Sequence, residues 1–454
     1  MSRDDDPLLR VEGLQKHYPI TQGALNTEVG RARAVDGIDF ELERGETFGI
    51  VGESGCGKST AASSIVRLEE PTDGTVVFDG ENVLEYDAEA LRRFRRDVQL
   101  IFQDPDSSFD PRMNIGDAVA EPLVVQGMTD RERRRTIVAD LLERVGLSAA
   151  DMKRYPHEFS GGQKQRIGLA RALAVNPKLI VADEPVSALD VSVKSEILRL
   201  IDEFQEALDL TVLVISHDLG VVREVCDRVA VMYLGEFVEV GPTEDLFENP
   251  QHPYTRALLS AIPTPDPRDR GLGVELRGDV PDPSAPPSGC RFHTRCPEVI
   301  PPDEVELTQD VWRSLLQFRK QVDREAIDLD GIVEVGLLGA EKYAALEDGT
   351  PADVADEDLK RWIRTEYELP HRLDDPRAEA AVEDALDAIV DGEYERASAR
   401  LAAEFTTVCE RERPTLEERA GDRKAACHLL DGAGRPRRDP VDGVIGGGSP
   451  GSSR

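Results

Sequence analysis

Long apolar runs are missing. No stretch of about 18 or more apolar residues occurs in the chain, which excludes a membrane-crossing helix. Any membrane role therefore has to come through a partner. Aromatic residues are scarce at 5%, and lysine is scarcer still, with 10 Lys against 45 Arg. Positive charge is in deficit overall: 55 basic residues face 89 acidic ones, a formal net charge of −34. Such a field argues against nucleic acid or an anionic membrane surface as a direct partner. High acidity with few lysines and few aromatics fits a protein kept soluble in a salt-rich cytoplasm, where screening lengths shrink to about 3 Å. A disordered acidic chain is the rival reading of the charge. Regular apolar strands and helices through the first 260 residues argue against it there. Met1 to Arg10 are charged and carry no apolar core, so no signal peptide is expected. Six cysteines among 454 residues are too few and too scattered for a disulfide framework.

Short apolar runs rich in β-branched residues predict buried strands at Thr47–Val51, Val98–Phe102, Lys178–Ala182 and Thr211–Ile215. Helical patterns lie between them. In Arg134–Val145, residues Ile137, Val138, Leu141, Leu142 and Val145 share one face. Strands alternating with helices predict a parallel sheet covered on both faces, an α/β domain over residues 7–247. A Pro-rich stretch from Pro263 to Pro287 reads as an extended connector. Residues 301–400 hold 27 acids against 12 bases and read as amphipathic helices with acidic loops, best at Ala380–Val390 and Tyr394–Phe405. Residues 432–454, rich in Gly, Ser, Pro and Arg, read as a disordered tail.

Directly after the strand Thr47–Val51 comes Gly52-Glu53-Ser54-Gly55-Cys56-Gly57-Lys58-Ser59, then Thr60. Glycines at this spacing let consecutive backbone amides point inward around phosphate oxygens, and the helix that follows adds the positive end of its dipole. Lys58 is placed to reach the β- and γ-phosphates and Ser59 to ligate Mg²⁺. A second apolar strand ends in Asp183-Glu184, putting two carboxylates at the carboxyl edge of a parallel sheet. Asp183 suits Mg²⁺ and Glu184 an attacking water. Alone, that pair would read as an ordinary strand end. Ser160-Gly161-Gly162-Gln163 opens a helix 23 residues before Asp183, a cap and equally an anion site.

Ser-Gly-Gly-Gln between a Walker A loop and a Walker B strand resembles the signature of the ABC ATPases. The resemblance implies roles for further positions. Gln103 stands where the family has its Q-loop glutamine, which senses Mg²⁺ and the membrane partner. Ser187-Ala188-Leu189-Asp190 resembles the D-loop, and His217 the switch histidine that meets the γ-phosphate. Tyr18 stands where an aromatic stacks on adenine, with His17 a weaker candidate. The implied fold is a P-loop ATPase domain with a parallel-sheet core, an antiparallel β subdomain and a helical signature subdomain. Two such domains face each other in this family, with ATP between the Walker A loop of one and the signature of the other.

Asn249-Pro250-Gln251-His252-Pro253-Tyr254-Thr255 and Pro286-Pro287-Ser288-Gly289-Cys290-Arg291-Phe292-His293 resemble the C-terminal extension of dipeptide and oligopeptide importer ATPases. The likeness runs over residues 7–298 and resumes around Val408–Leu430. It implies an ATPase peripheral to the cytoplasmic face of the membrane. The implied partners are a second, homologous ATPase, two permeases and an extracytoplasmic solute-binding protein, without nucleic acid. A soluble, non-transport ABC ATPase is the alternative, and a regulator without turnover a weaker one. The expected organisation is the ATPase domain at 7–247, the extension at 248–298 and 408–431, and an acidic helical insertion at 299–407 between them. Cys290, Cys296, Cys409 and Cys427 fall outside the ATPase domain. Four thiolates can hold an iron–sulfur cluster or Zn²⁺, and some relatives carry a 4Fe–4S cluster in this extension. Four unrelated thiols are the alternative. Cys56 and Cys226 read as packing residues.

Overall fold

A computed structural model describes residues 6–23, 27–104, 108–187, 189–262, 276, 278–339, 354–419 and 421–430. The tail at 432–454 and the connector residues 263–275 and 277 lie outside the described residues, as does Ala188. The chain divides into two compact units. The first comprises residues 1–274, 280–286 and 415–435, the second residues 275–279, 287–414 and 436–454.

The strands of the first unit, in chain order, begin with β1 (Leu9–Gln22), β2 (Thr27–Leu42), β3 (Thr47–Val51) and β4 (Asp73–Phe78). Next come β5 (Glu81–Asn82), β6 (Val98–Ile101), β7 (Leu179–Asp183) and β8 (Thr211–Ser216). The last are β9 (Arg228–Tyr233), β10 (Glu236–Pro242), β11 (Glu417–Arg419) and β12 (Arg423–Ala425). Among the described residues they form two sheets, ordered β2-β1-β4-β5 and β11-β12-β10-β9-β3-β8-β7-β6. Neighbours from β6 through β7, β8 and β3 to β9 pair in parallel. β10 and β12 then continue the sheet in antiparallel fashion. The apolar runs in β3 and β8 are buried at every position because helices cover both faces of this sheet. The smaller sheet is antiparallel throughout. Its apolar residues join those of β3 in one core, with the rings of Phe40 and Phe48 stacked at 5.1 Å.

The helices Ile115–Val125, Arg131–Arg144 and Gly161–Leu173 form the helical subdomain. The second of these starts three residues before the apolar face announces it, because Asp130 caps Arg133 N. The α/β class, the antiparallel subdomain and the helical subdomain agree with the sequence expectation.

The second unit is helical among its described residues, with helices Gln309–Asp323, Leu329–Gly339, Asp356–Glu366, Pro376–Val390 and Tyr394–Phe405. Its own core gathers Trp312, Leu315, Phe318, Leu386, Leu401 and Phe405. Inside it, Arg319 makes a two-pronged ion pair with Glu410 at 2.8 and 2.9 Å and also donates to Phe405 O. The start and end of this stretch meet: Cys290 N donates to Cys409 O at 2.7 Å, and the Thr407 hydroxyl donates to Ile300 O.

The metal site expected at the cysteines is not assembled. Among the described residues no three His, Cys, Asp or Glu side chains are grouped as ligands. Cys290, Cys296 and Cys409 pack on the apolar core of the second unit, whereas Cys427 belongs to the first. Burial pushes the Cys409 thiol up. Backbone pairing and apolar packing, without a metal, account for the meeting of the two segments. Among the described residues nothing supports a cluster or zinc at these cysteines.

Candidate active site

The phosphate loop leaves β3 at Val51 and enters the helix Lys58–Ile65. Gly57, at φ +108°, caps that helix, and a Cβ there would lie 1.9 Å from Ala34 O. At Gly52 a Cβ would lie 2.2 Å from Met232 O. Only glycine fits such contacts, and the loop is thereby wrapped tightly between β2 and β9. Lys58 is 5% exposed, and its ammonium donates to Gly52 O at 2.8 Å and Glu53 O at 3.0 Å. The first turn of the helix aims its amides into the same loop. Cys56 is buried within the loop, and burial pushes its thiol up, in keeping with a packing role.

Parallel pairing of β7 with β8 ends at Asp183 and Ile215. Ser59 Oγ donates to Asp183 Oδ1 at 3.1 Å, so helix and strand present two oxygen groups side by side. Burial, and then the charge of Glu184, raise the Asp183 carboxyl above its usual range, with the Ser59 bond opposing them. A half-buried carboxylate beside a second acid is relieved by a cation. A serine–aspartate pair next to a phosphate cradle fits the octahedral, partly hydrated habit of Mg²⁺.

The chain turns sharply after Asp183. Glu184 has φ +48°, the left-handed region, and its N–H donates to Ile215 O at 2.8 Å. This turn swings the Glu184 carboxylate to the sheet edge, where two other segments grip it. Gln103 Nε2 donates to Oε2 at 2.7 Å, and His217 Nδ1 lies 2.8 Å from Oε1. A nitrogen facing a carboxylate at that distance carries the proton, which leaves Nε2 of His217 directed elsewhere. Two residues, 81 and 33 positions away in the chain, thus converge on one carboxylate.

Ser160 caps the helix Gly161–Leu173 in a reciprocal box with Gln163. Gly162 has no room for a Cβ, which would meet Val193 at 2.5 Å. In the D-loop segment Leu189 N donates to Val186 O and Ser187 Oγ to Glu184 O. Tyr18 on β1 is half-buried; its hydroxyl donates to Glu69, and Lys16 lies over its ring. His17 faces Asp36 at 2.7 Å.

A groove of about 240 Å³ opens beside Gln103, lined by Phe102, Phe109, Pro122, Gln165 and Arg171 among others. Phe102 is 43% exposed on it. Sequence reasoning missed one contact at the phosphate loop: Glu53 N donates at 2.9 Å to the hydroxyl of Tyr254. The only signal was the His-Pro-Tyr motif itself, whose target lies 201 residues earlier.

Three family models match the chain. ABC transporter covers residues 35–187, and oligopeptide/dipeptide transporter, C-terminal region, covers residues 238–301. A domain of unknown function covers residues 309–422, mostly within the helical second unit. The chain is 48% identical to an oligopeptide transport ATP-binding protein of Bacillus subtilis over 303 residues, 66% of this chain and 92% of that protein. It is 51% identical to a putative peptide import ATP-binding protein of Brucella ovis over 65% of this chain and 91% of the relative. A dipeptide transport ATP-binding protein of Haemophilus influenzae is 48% identical over 65% of this chain and 90% of its own length. Similarity of that extent, on top of a phosphate loop and a carboxylate gripped from two sides, leads to one conclusion: the chain belongs to the family of ATP-binding subunits of oligopeptide and dipeptide ABC transporters.

Proposed function

We propose that this chain hydrolyses ATP at the site described and that the hydrolysis drives import of di- or oligopeptides. The observation that carries the catalytic part is the Glu184 carboxylate, held between Gln103 and His217 at the carboxyl edge of the sheet. A carboxylate with both oxygens directed by neighbours is oriented to hold and polarise an attacking water. Gln103 and His217 act on that water by fixing the carboxylate. The free edge of His217 is available to the γ-phosphate. Residues 52–60 cradle the phosphates, and Lys58 turns from the loop carbonyls to the anion. Ser59 and Asp183 hold Mg²⁺, with Gln103 at its border; the ion neutralises charge on the phosphates when bound. Tyr18 supports the adenine ring, with His17 held on Asp36 nearby.

Ser160, Gly161, Gly162 and Gln163 serve the nucleotide of a facing ATPase, and Ser187 to Asp190 line the seam between the two. The facing subunit is a homologous but distinct ATPase. The groove beside Gln103, with its exposed Phe102, suits a helix of a membrane permease. The permeases anchor the chain on the cytoplasmic side of the membrane; no described helix is itself long and apolar enough to cross it. A solute-binding protein outside the cell delivers the peptide. The names of the relatives support the peptide as solute.

Two experiments test this reading. Purified chain with Mg²⁺ and ATP should release phosphate, and Lys58→Ala should remove nucleotide binding. In a deletion strain, uptake of labelled di- and tripeptides should return with the wild-type gene and not with Glu184→Gln. Restored uptake with Glu184→Gln would contradict the coupling.

A further inference from the structure

The His-Pro-Tyr motif lies outside the nucleotide motifs, yet its tyrosine reaches them. Tyr254 is fully buried, and its ring packs edge-on against Tyr233 of β9 at 4.8 Å. Its hydroxyl accepts the N–H of Glu53. The peptide unit that carries this N–H is the one whose carbonyl, Gly52 O, receives the Lys58 ammonium. One peptide plane of the phosphate loop is therefore gripped on both sides, by Tyr254 behind and by Lys58 in front.

The grip is anchored in turn. Glu239 of β10 is fully buried and accepts Gln251 N at 2.7 Å and His252 N at 2.9 Å. His252 Nδ1 accepts Tyr254 N at 3.1 Å and so caps the helix Pro253–Ser260, with proline at its first position. Glu239 sits opposite Ala425 of β12, and Ala426 N donates to Val238 O. A continuous set of backbone and side-chain bonds thus runs from the last strand of the extension to the first peptide of the phosphate loop.

We propose that Tyr254 is a positioning residue for nucleotide binding: its hydroxyl fixes the Gly52–Glu53 peptide, and through it the loop geometry that Lys58 and the phosphates share. A phenylalanine would fill the same space against Tyr233. What that substitution removes is the hydroxyl that accepts the loop amide of Glu53. The effect falls on nucleotide affinity, because the loop must hold its shape when the Lys58 ammonium moves to the phosphates. It does not fall on the water-polarising step, which belongs to Glu184.

The proposal rests on the nucleotide-site reading, and its test separates the two. Full-length wild type, Lys58→Ala and Tyr254→Phe are titrated with ATP and with ADP in Mg²⁺ by calorimetry. ATP turnover and the melting temperature of the nucleotide-free chains are measured on the same preparations. For Tyr254→Phe the dissociation constants of ATP and ADP should both rise about threefold to tenfold, the size of one hydrogen bond. KM for ATP should rise with them, and kcat should stay within about twofold. The melting temperature should move by no more than about 4 °C. Unchanged nucleotide affinity in Tyr254→Phe, with wild type binding and Lys58→Ala not, overturns the proposal alone. So does a large fall in melting temperature that accompanies the loss of affinity, which makes the hydroxyl a support of the fold only. Failure of the wild type to bind ATP removes the nucleotide reading itself.

Discussion

Glu184, the proposed water-polarising residue, also carries the backbone strain of the site, at φ +48°. A non-glycine residue in the left-handed region costs about 1–3 kcal/mol and persists only where surrounding bonds over-determine it. Here those bonds are Ile215 O, Gln103 and His217. At the same scale, Lys58→Ala deletes the single cation inside the phosphate loop's carbonyl ring. Loss of charge-assisted bonds to the phosphates should lower ATP affinity by about 10²-fold or more, enough to remove measurable binding in a calorimetric titration. Retained affinity would mean that the backbone alone binds the phosphates. Most of this site was legible in the sequence because each motif is contiguous: glycine spacing, an apolar strand ending in two acids, a serine–glycine helix start. Tyr254 was not, because its partner is 201 residues away and only the fold joins them. The cysteines present the opposite case. Their segments do converge at Cys290 and Cys409, but through a backbone hydrogen bond and apolar packing.

Elements obey their local signals more closely than their apparent limits suggest. The buried strands were readable from β-branched runs, each within about one residue of its true bounds. The helix expected at Ala380–Val390 starts at Pro376, because Asp375 caps Arg377 and Ala378 and proline occupies the first helical position. That signal was present in the sequence as Asp-Asp-Pro. Leu386 of this helix is fully buried in the core of the second unit. Leu386→Ala should therefore destabilise that unit by about 2–5 kcal/mol, visible as a lowered transition in calorimetry. A shift below about 1 kcal/mol would mean that the helix packs only loosely.

The helix Pro253–Ser260 carries its own pH dependence. Burial, and secondarily Arg256, hold the His252 imidazole down at about 3, against an ordinary value of 6.5. A histidine lowered in the folded state contributes stability that is present above pH 6.5. That stability is lost as pH falls from 6.5 towards about 3, since the unfolded chain takes up the proton first. His252→Asn keeps a helix cap that does not titrate. The gap in melting temperature between wild type and His252→Asn should shift against wild type between pH 7 and pH 5, read by thermal scans at each pH. Parallel curves would place His252 in contact with solvent.

For the whole molecule, the dominant quantity is the net charge of −34. Self-repulsion lengthens its reach as ions are removed, from about 3 Å at 1 M to about 30 Å at 0.01 M. Melting temperature should fall as salt is reduced over that range, and a flat profile would remove the high-salt reading of the composition. Assembly belongs to this scale too. The purified chain is expected to be monomeric without nucleotide and a weak ATPase until its homologous partner is added. A tight, highly active homodimer would instead favour a self-sufficient ATPase. Hydrolysis at Glu184 is tested by comparing phosphate release at saturating Mg²⁺ and ATP by wild type and Glu184→Gln. ATP affinity is determined on both. Turnover should fall about 10²–10⁴-fold with affinity intact, and the variant should accumulate as an ATP-bound dimer on size exclusion. Phosphate release near the wild-type rate would contradict the account.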